Sequence, residues 1–477
     1  MPGFHVEHFG CRAARADGEA VSGRLRAAGH CEQQPSEADV VIVNTCSVTA
    51  EADRAARAFI RRAHRVNPEA RIVVTGCYAQ RAPQEVARLA GVAAVVGNSH
   101  KALTPQIVLA LASDKVRFGS AVPPALVPVG AVLAGQTPVW ADDRFAHSFI
   151  EDAQLAPGAQ TRPNLKIQEG CGNRCTFCVI PQTRGSSRSL PAANILKQVE
   201  SFVAAGGNEL VLSGINLGRW GREIRRSPNA ESPARSSSEP TLAKLVRRIL
   251  EETALPRLRL SSIEPMDWDR ELIGLMAEFA GIRLARHAHL PLQSGSDAVL
   301  RRMHRRYRPW HYAEKVQALV RAAGPELTLG ADVMVGFPGE TDREFEETLE
   351  LVRALPFGYL HIFPFSPRPA TRAWAMHAVA PVPHAVAEQR AAALRTLAAE
   401  KSRAHREQFV GREMEAITLH TPPALAGRDL SSALTENFLP AELQGKLAAN
   451  RLVRLQVTGL TAEGTLQGVA LESGLPG

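Results

Sequence analysis

The sequence predicts an α/β protein in three parts: an N-terminal parallel-sheet α/β domain, a central partial (β/α)6 barrel and a small C-terminal β-barrel. Two observations carry the first two parts. Apolar, β-branched runs alternate with helical stretches over residues 1–112 and again over 161–378, which is the pattern of parallel sheets covered by helices. A third observation carries the last part: short strand-like pieces fill residues 409–470. With 477 residues, 45% of them hydrophobic, the chain can bury more than one core.

In the first part, Phe4–Phe9 alternates apolar and polar and then meets Gly10-Cys11. Val40–Val43 meets Asn44-Thr45-Cys46, and Ile72–Val74 meets Thr75-Gly76-Cys77, with helical stretches such as Ala52–His64 between. Each of these cysteines therefore follows the carboxyl end of a strand, the edge at which open α/β sheets bind ligands. Cys11, Cys46 and Cys77 are read as one three-cysteine metal site. Cys31 follows Ala-Ala-Gly-His in a turn-like stretch and is read as a non-ligand. Residues 113–160 are rich in Pro, Ala and Gly and read as a linker. Ser120–Trp140 carries no charge but holds four prolines, which suits an extended segment rather than a membrane helix.

The barrel is expected from six strand-like runs: Leu165–Ile167, Glu209–Leu212, Leu258–Ser262, His287–Leu292, Leu327–Val335 and Tyr359–Phe363. Its active site belongs at the carboxyl ends of those strands. An insertion at Arg222–Pro240, rich in Ser, Arg and Pro, cannot pack a core and reads as disordered. Residues 379–408 form a connecting segment whose Ala385–Gln408 stretch, without internal Pro or Gly, reads as one long helix. Met414–Leu419, Leu452–Val457 and Thr465–Val469 are the strands expected in the last domain.

Cys171, Cys175 and Cys178 lie in Glu-Gly-Cys-Gly-Asn-Arg-Cys-Thr-Phe-Cys (169–178), just after the first barrel strand. A structural zinc site wants four ligands in paired units, yet no fourth cysteine follows and the next histidine is His287. Three thiolates suit a 4Fe–4S cluster instead, with one iron left open to chelate a small molecule. Seven cysteines are an odd number, and residues 1–10 hold no apolar signal core. Both facts argue against a disulfide framework and for a reducing compartment, the cytoplasm.

This combination resembles the methylthiotransferases, radical S-adenosylmethionine (SAM) enzymes with an N-terminal three-cysteine domain. The resemblance rests on Gly10-Cys11, Asn44-Thr45-Cys46, Thr75-Gly76-Cys77, the central trio and Gly336-Phe337-Pro338-Gly339-Glu340-Thr341. Leu360–Pro369, Gly214–Gly218 and Leu434–Phe438 are most similar to the branch acting on threonylcarbamoyladenosine in tRNA. The resemblance implies two 4Fe–4S clusters and SAM as cofactors. One cluster sits on Cys171, Cys175 and Cys178, the catalytic trio. The other sits on Cys11, Cys46 and Cys77 and holds the sulfur that is methylated and transferred. It further implies a flavodoxin- or ferredoxin-like electron donor, and a sulfur donor that the sequence does not identify. Ala14 stands where the family usually carries Asn, and the C-terminal barrel corresponds to an RNA-binding module called TRAM.

Further site residues follow from the same resemblance. Gly206 and Gly207, with Glu209 shortly after, look like the stretch that engages the SAM amino group, although Gly206 reads equally well as a helix C-cap. Arg184, like Arg188, suits either the SAM carboxylate or the tRNA backbone. Ser262 and Glu264, and Gln293 and Ser294, end barrel strands and suit the SAM ribose or the target nucleotide. The Gly336–Gly339 loop suits adenine, and Thr341 with Glu344 forms a capping box.

Arg301, Arg302, Arg305, Arg306 and Tyr307 sit in a run with five arginines and no acid between 301 and 308, the expected RNA contact. The net charge of +8 agrees with a polyanionic partner. The segment from His405 to the end opposes it, with six Lys/Arg against eight Asp/Glu. The expected activity is methylthiolation of carbon 2 of N6-threonylcarbamoyladenosine, 3′ of the anticodon. Isopentenyladenosine in tRNA, or an aspartate of a ribosomal protein, are the rival substrates. A non-catalytic iron–sulfur RNA-binding or sensor protein is the rival from another class.

Overall fold

The computed structural model describes residues 2–112, 137–149, 155, 161–223 and 240–471. Most of the expected linker 113–160, and the interior of the expected insertion 222–240, lie outside the described residues. Contacts divide the chain into two compact units. Unit 1 is Met1–Leu155 with Asn164–Leu190 and Ser366–Thr371; unit 2 is Ala156–Pro163, Pro191–Phe365 and Arg372–Gly477.

Unit 1 is built on a six-stranded sheet of β1 (Gly3–His8), β2 (Cys31–Glu32), β3 (Val40–Thr45), β4 (Arg71–Gly76), β5 (Val92–Gly97) and β6 (Val139–Trp140). Its order is β2-β1-β3-β4-β5-β6, and every pair is parallel. Both faces are covered, which is why the central strands read as unbroken apolar runs. Val40 and Ile42 pack with Val21, Leu25 and Val108 on one face, while Val41 and Val43 pack with Phe59, Ile60 and Tyr78 on the other. Thr49 caps the helix Ala50–Val66 by accepting the Ala52 N–H at 3.2 Å.

The adjacency of β1, β3 and β4 brings the carboxyl ends that precede Cys11, Cys46 and Cys77 side by side. Cys31 lies on β2 opposite Gly3, at the amino end of β1, far from that edge. Unit 1 also holds β7 (Asn164–Glu169), which pairs antiparallel with β8 (Arg188–Ser189), and the cysteine loop between them.

Unit 2 contains β9 (Glu209–Gly214) parallel to β10 (Arg257–Leu260), and the parallel set β11 (His287–His289), β12 (Thr328–Val335) and β13 (Phe357–Pro364). The six expected barrel strands therefore all form. The expected capping box is present at Thr341 and Glu344. The long helix spans His384–Glu407, and its Arg390 holds Glu340 at 2.8 Å.

The last domain is a closed barrel, β14-β15-β16-β18-β17, of β14 (Glu413–Thr418), β15 (Leu430–Thr435), β16 (Pro440–Gln444), β17 (Leu452–Leu460) and β18 (Leu466–Ala470). Its core is Ala416, Ala433, Leu443, Leu455, Val457 and Leu466, with Phe409 beneath. No helix among the described residues is long and apolar enough to cross a membrane.

Candidate active site: two cysteine trios and a polar barrel face

Two glycines shape the backbone at the N-terminal cysteines. Gly10 has φ +111°, and a Cβ there would sit 2.8 Å from Cys46 Sγ. Gly76, at φ 98° and ψ −161°, turns β4 into the short helix Cys77–Arg81; that combination is open essentially to glycine alone. Thr45 Oγ1 accepts the Tyr78 N–H at 3.2 Å and so fixes the start of that helix. Cys46 and Cys77 are buried, while Cys11 is exposed. Burial, then the neighbouring Cys77 and Cys11 thiols, push the Cys46 thiol up to about 12.

A bound cationic metal core would offset that resistance to ionisation. The surroundings fit such a group. Asn98 Nδ2 and Arg184 Nε donate to Cys77 Sγ at 3.4 and 3.3 Å. Asn98 Oδ1, Thr75 Oγ1 and Arg184 Nη2 are buried with no hydrogen-bond partner. Asn98 supplies a side-chain amide to this site that the sequence reading missed, because it lies past a different strand, β5.

The second trio sits on the loop after β7. Gly170 (φ +70°) starts it, and a Cβ there would meet Ser186 O at 2.0 Å. The Cys171 N–H donates to Gly185 O at 3.0 Å and the Cys178 N–H to Cys175 O at 3.2 Å. The Asn173 N–H donates to Cys171 Sγ at 3.4 Å. All three cysteines are half-buried, so the loop is braced from behind and open in front. Thiolates on such a loop can hold a cluster that a small molecule still reaches.

Arg184 does not face an open SAM or tRNA site, as the sequence suggested. It is wholly buried, donates to both Glu169 oxygens at 2.8 and 2.9 Å, and spends Nε on Cys77. Burial opposes its charge, but the Cys77, Glu169 and Asp17 groups outweigh that and hold its pKa well above the usual value.

Gly206, Gly207 and Glu209 also require correction. They lie at the amino end of β9, whereas ligands meet such strands at the carboxyl end. Gly206 (φ +86°) follows the helix Ala192–Ala204, with its N–H bonded to Val203 O at 2.8 Å, so the helix-cap reading describes it. Glu209 is fully buried, 2.7 Å from Arg259 and 3.5 Å from Arg257. Burial alone would raise its carboxyl, and these guanidiniums hold it lowered.

Ser262 and Glu264 do follow the carboxyl end of β10, and Glu264 pairs with Arg305. Gly336 and Gly339 follow β12 at φ +71° and +72°. Their N–H groups are taken by Glu340 Oε2 at 2.7 Å and Ala380 O at 2.9 Å. Gln293 (φ +65°) and Ser294 lie beside β12: the Gln293 N–H donates to Asp332 O at 2.7 Å.

The sequence reading missed a polar face on β11, β12 and β13. A bulge at Gly358 separates Phe357, which packs near Tyr312, from Tyr359, and places Tyr359 and His361 with Gly330 and Asp332. Tyr359 Oη lies 2.8 Å from His287 Nε2 and 3.0 Å from His289 Nδ1. His289 Nε2 lies 3.1 Å from Asp332 Oδ2. Burial would raise the Asp332 carboxyl; the hydrogen bond and charge of His289 hold it lowered. One ligand atom each from His289, Asp332 and His361 falls within 4.8 Å of the others. The alternation that marks this face, His287-Ala-His289 with Tyr359 and His361, was visible in the sequence.

The arginine run is mostly engaged within the protein. Arg301 pairs with Asp297 at 2.9 Å, Arg302 with Glu344 at 2.8 Å, and Arg305 with Glu264. Tyr307 is buried, its Oη 2.8 Å from Pro291 O and 2.6 Å from Leu292 O, so it is no stacking platform for a base. Arg306 and Trp310 are exposed.

Comparison with known proteins agrees with this geometry. Residues 3–97 match the family described as uncharacterized protein family UPF0004, and residues 165–352 match the radical SAM superfamily. The chain is 32% identical over 452 residues to threonylcarbamoyladenosine tRNA methylthiotransferase MtaB of Aquifex aeolicus, covering 94% of this chain and 99% of that protein. It is 33% identical over 444 residues to MtaB of Bacillus subtilis, covering 93% and 90%. It is 32% identical over 466 residues to tRNA-2-methylthio-N(6)-dimethylallyladenosine synthase of a Parafrankia species, covering 96% and 84%. With both signature segments present and identity sustained over nearly its whole length, the chain belongs to the methylthiotransferase family of radical SAM enzymes.

Proposed function

We propose that this protein modifies tRNA, adding a methylthio group to carbon 2 of N6-threonylcarbamoyladenosine on the 3′ side of the anticodon. The observation that supports it most is the pair of separate cysteine trios, each backed by shaped backbone. Cys171, Cys175 and Cys178 are assigned to the cluster that meets SAM, and Cys11, Cys46 and Cys77 to the auxiliary cluster. When bound, these cofactors supply the radical that removes a hydrogen and the sulfur that replaces it; the protein contributes holding, orientation and exclusion of water.

The chain's own residues divide that work. Gly10 and Gly76 shape the backbone that carries the first three thiols, and Gly170 braces the second loop. Ser262, Glu264, Gly336 and Gly339 stand at carboxyl ends of strands, where SAM is expected to lie. The polar face of His289, Asp332, Tyr359 and His361 favours a substituent with a carboxylate and a hydroxyl. An isopentenyl group would form no hydrogen bond with this face, and sites that hydrogen-bond a substrate group discriminate strongly against analogues lacking it. The reading places the enzyme in the cytoplasm, with a flavodoxin- or ferredoxin-like reductant.

Mass spectrometry of tRNA nucleosides from a strain lacking the gene tests it. Loss of the methylthio form of threonylcarbamoyladenosine alone is expected. Loss of the methylthio isopentenyl nucleoside would shift the assignment to that substrate, and unchanged tRNA would refute both.

A further inference from the structure

Two ionic sets flank the Cys11–Cys46–Cys77 trio, the first buried throughout and the second buried except for the half-buried Arg81, and each carries one cation in excess. In the first, Asp17 and Glu169 face Lys101, Lys166 and Arg184. Asp17 pairs with Lys101 and Lys166 and lies 3.2 Å from Arg184, while Glu169 lies 2.6 Å from Lys166 and 2.8 Å from Arg184. All five side chains are buried. Among the described residues no third carboxylate comes within ion-pairing distance of these three cations. In the second, Asp53 alone faces Arg81 at 2.8 Å and Arg368 at 2.5 Å, and Ser47, the neighbour of Cys46, accepts from both arginines at 2.7 and 2.9 Å. Arg184 Nη2 and Arg368 Nε are buried without hydrogen-bond partners.

Uncompensated buried charge is costly. The excess therefore calls for an anion nearby, and Arg184 Nε points to where it lies, 3.3 Å away at Cys77 Sγ. A 4Fe–4S core held by three thiolates is itself negative, and gains one further negative charge on reduction. Net charge around a cluster and hydrogen bonds to its sulfurs set its potential.

We infer that the surplus of buried cations is the built-in counter-charge of the auxiliary cluster, raising its reduction potential, and that Arg184 is a positioning residue shared by both cysteine loops. The sharing is direct: the guanidinium that reaches Cys77 also grips Glu169, whose Oε1 accepts the Gly170 N–H at 3.1 Å, immediately before Cys171. This inference rests on the assignment of a cluster to Cys11, Cys46 and Cys77.

An EPR-monitored potentiometric titration of the reconstituted full-length holoenzyme tests it, with a Cys171→Ala/Cys175→Ala/Cys178→Ala chain used to assign the auxiliary signal. Arg184→Gln and Lys101→Met each bring the first set to two cations against two carboxylates. Both are expected to move the auxiliary midpoint to more negative potential, and Arg184→Lys, which keeps the charge, to move it less than Arg184→Gln. Lys101 reaches Asp17 rather than a cysteine, so Lys101→Met carries the test should Arg184→Gln fail to load iron. An auxiliary midpoint unmoved by Lys101→Met overturns the inference. A wild-type protein with only one cluster signal would instead sink the functional assignment beneath it.

Discussion

At Gly10 and Gly76 the absence of a side chain sets the backbone that carries Cys11, Cys46 and Cys77. A Cβ on Gly76 would lie 2.3 Å from Thr45 O, and the backbone there is strained for any other residue. Gly76→Ala should cost about 3 kcal/mol and lower the iron bound per chain, read by denaturation of the apo protein and by metal analysis; unchanged values would show that the turn relaxes. The two trios should also separate by product. Cys175→Ala is expected to abolish 5′-deoxyadenosine formation from SAM, whereas Cys46→Ala should keep it and lose only the methylthio nucleoside. A Cys46→Ala enzyme that still delivers that nucleoside contradicts the assignment. The cysteines were legible because short spacing and strand ends fix where they fall. The role of Arg184 was not, because its partners Asp17 and Cys77 come from distant sequence and only folding brings them together.

At the scale of elements, strand direction explains what the sequence misplaced. Gly206-Gly207-Asn208-Glu209 precedes β9, so it belongs to the closed end of the strand, where Arg259 also reaches Thr435 O at 3.3 Å. The residues of the polar face on β11 to β13 alternate in the sequence, but the bulge that sets Tyr359 and His361 beside Gly330 and Asp332 does not show there. A Cβ on Gly330 would fall 2.1 Å from the Tyr359 ring. Gly330→Ala should displace Tyr359 from His287 and His289 and reduce turnover more than it reduces binding of tRNA, measured as kcat against Kd.

The junction of the long helix with this sheet should respond to pH. His405, 2.8 Å from Thr328 Oγ1, has its pKa lowered to about 4 by burial and then by Arg406. Unfolded, it titrates near 6.5, so the unfolded chain takes up the proton first. The contribution of the neutral ring is whole above about pH 6.5 and is lost as pH falls towards 4, about 3 kcal/mol in all. Urea denaturation of the apo protein should therefore show a flatter acid limb in His405→Gln; an identical limb would mean that the ring is not buried neutral.

Over the whole molecule, composition predicted an anionic partner, and the charge of +8 remains consistent with tRNA. It did not predict which arginines are available, because acids distant in sequence, Glu264 and Glu344, neutralise Arg305 and Arg302. Binding of tRNA should weaken as salt rises, and Arg306→Ala should reduce that log–log slope by about 1. Tyr307→Phe should leave the slope alone and cost about 1 to 3 kcal/mol of stability through the lost buried hydroxyl. Sequence continuity joined the Cys171 loop to the barrel strands that follow it. The radical SAM match over residues 165–352 spans both, while Lys166 and Arg184 also tie that loop to Asp17.

The central claim is that two trios of thiolates hold two separate clusters, and iron and acid-labile sulfide analysis of anaerobically purified and reconstituted protein, with Mössbauer spectra, tests it most directly. About eight irons per chain as two 4Fe–4S centres are expected, falling to about four when Cys171, Cys175 and Cys178 are replaced. A protein that binds only zinc, or that holds a single centre unaffected by loss of Cys46, would contradict the account.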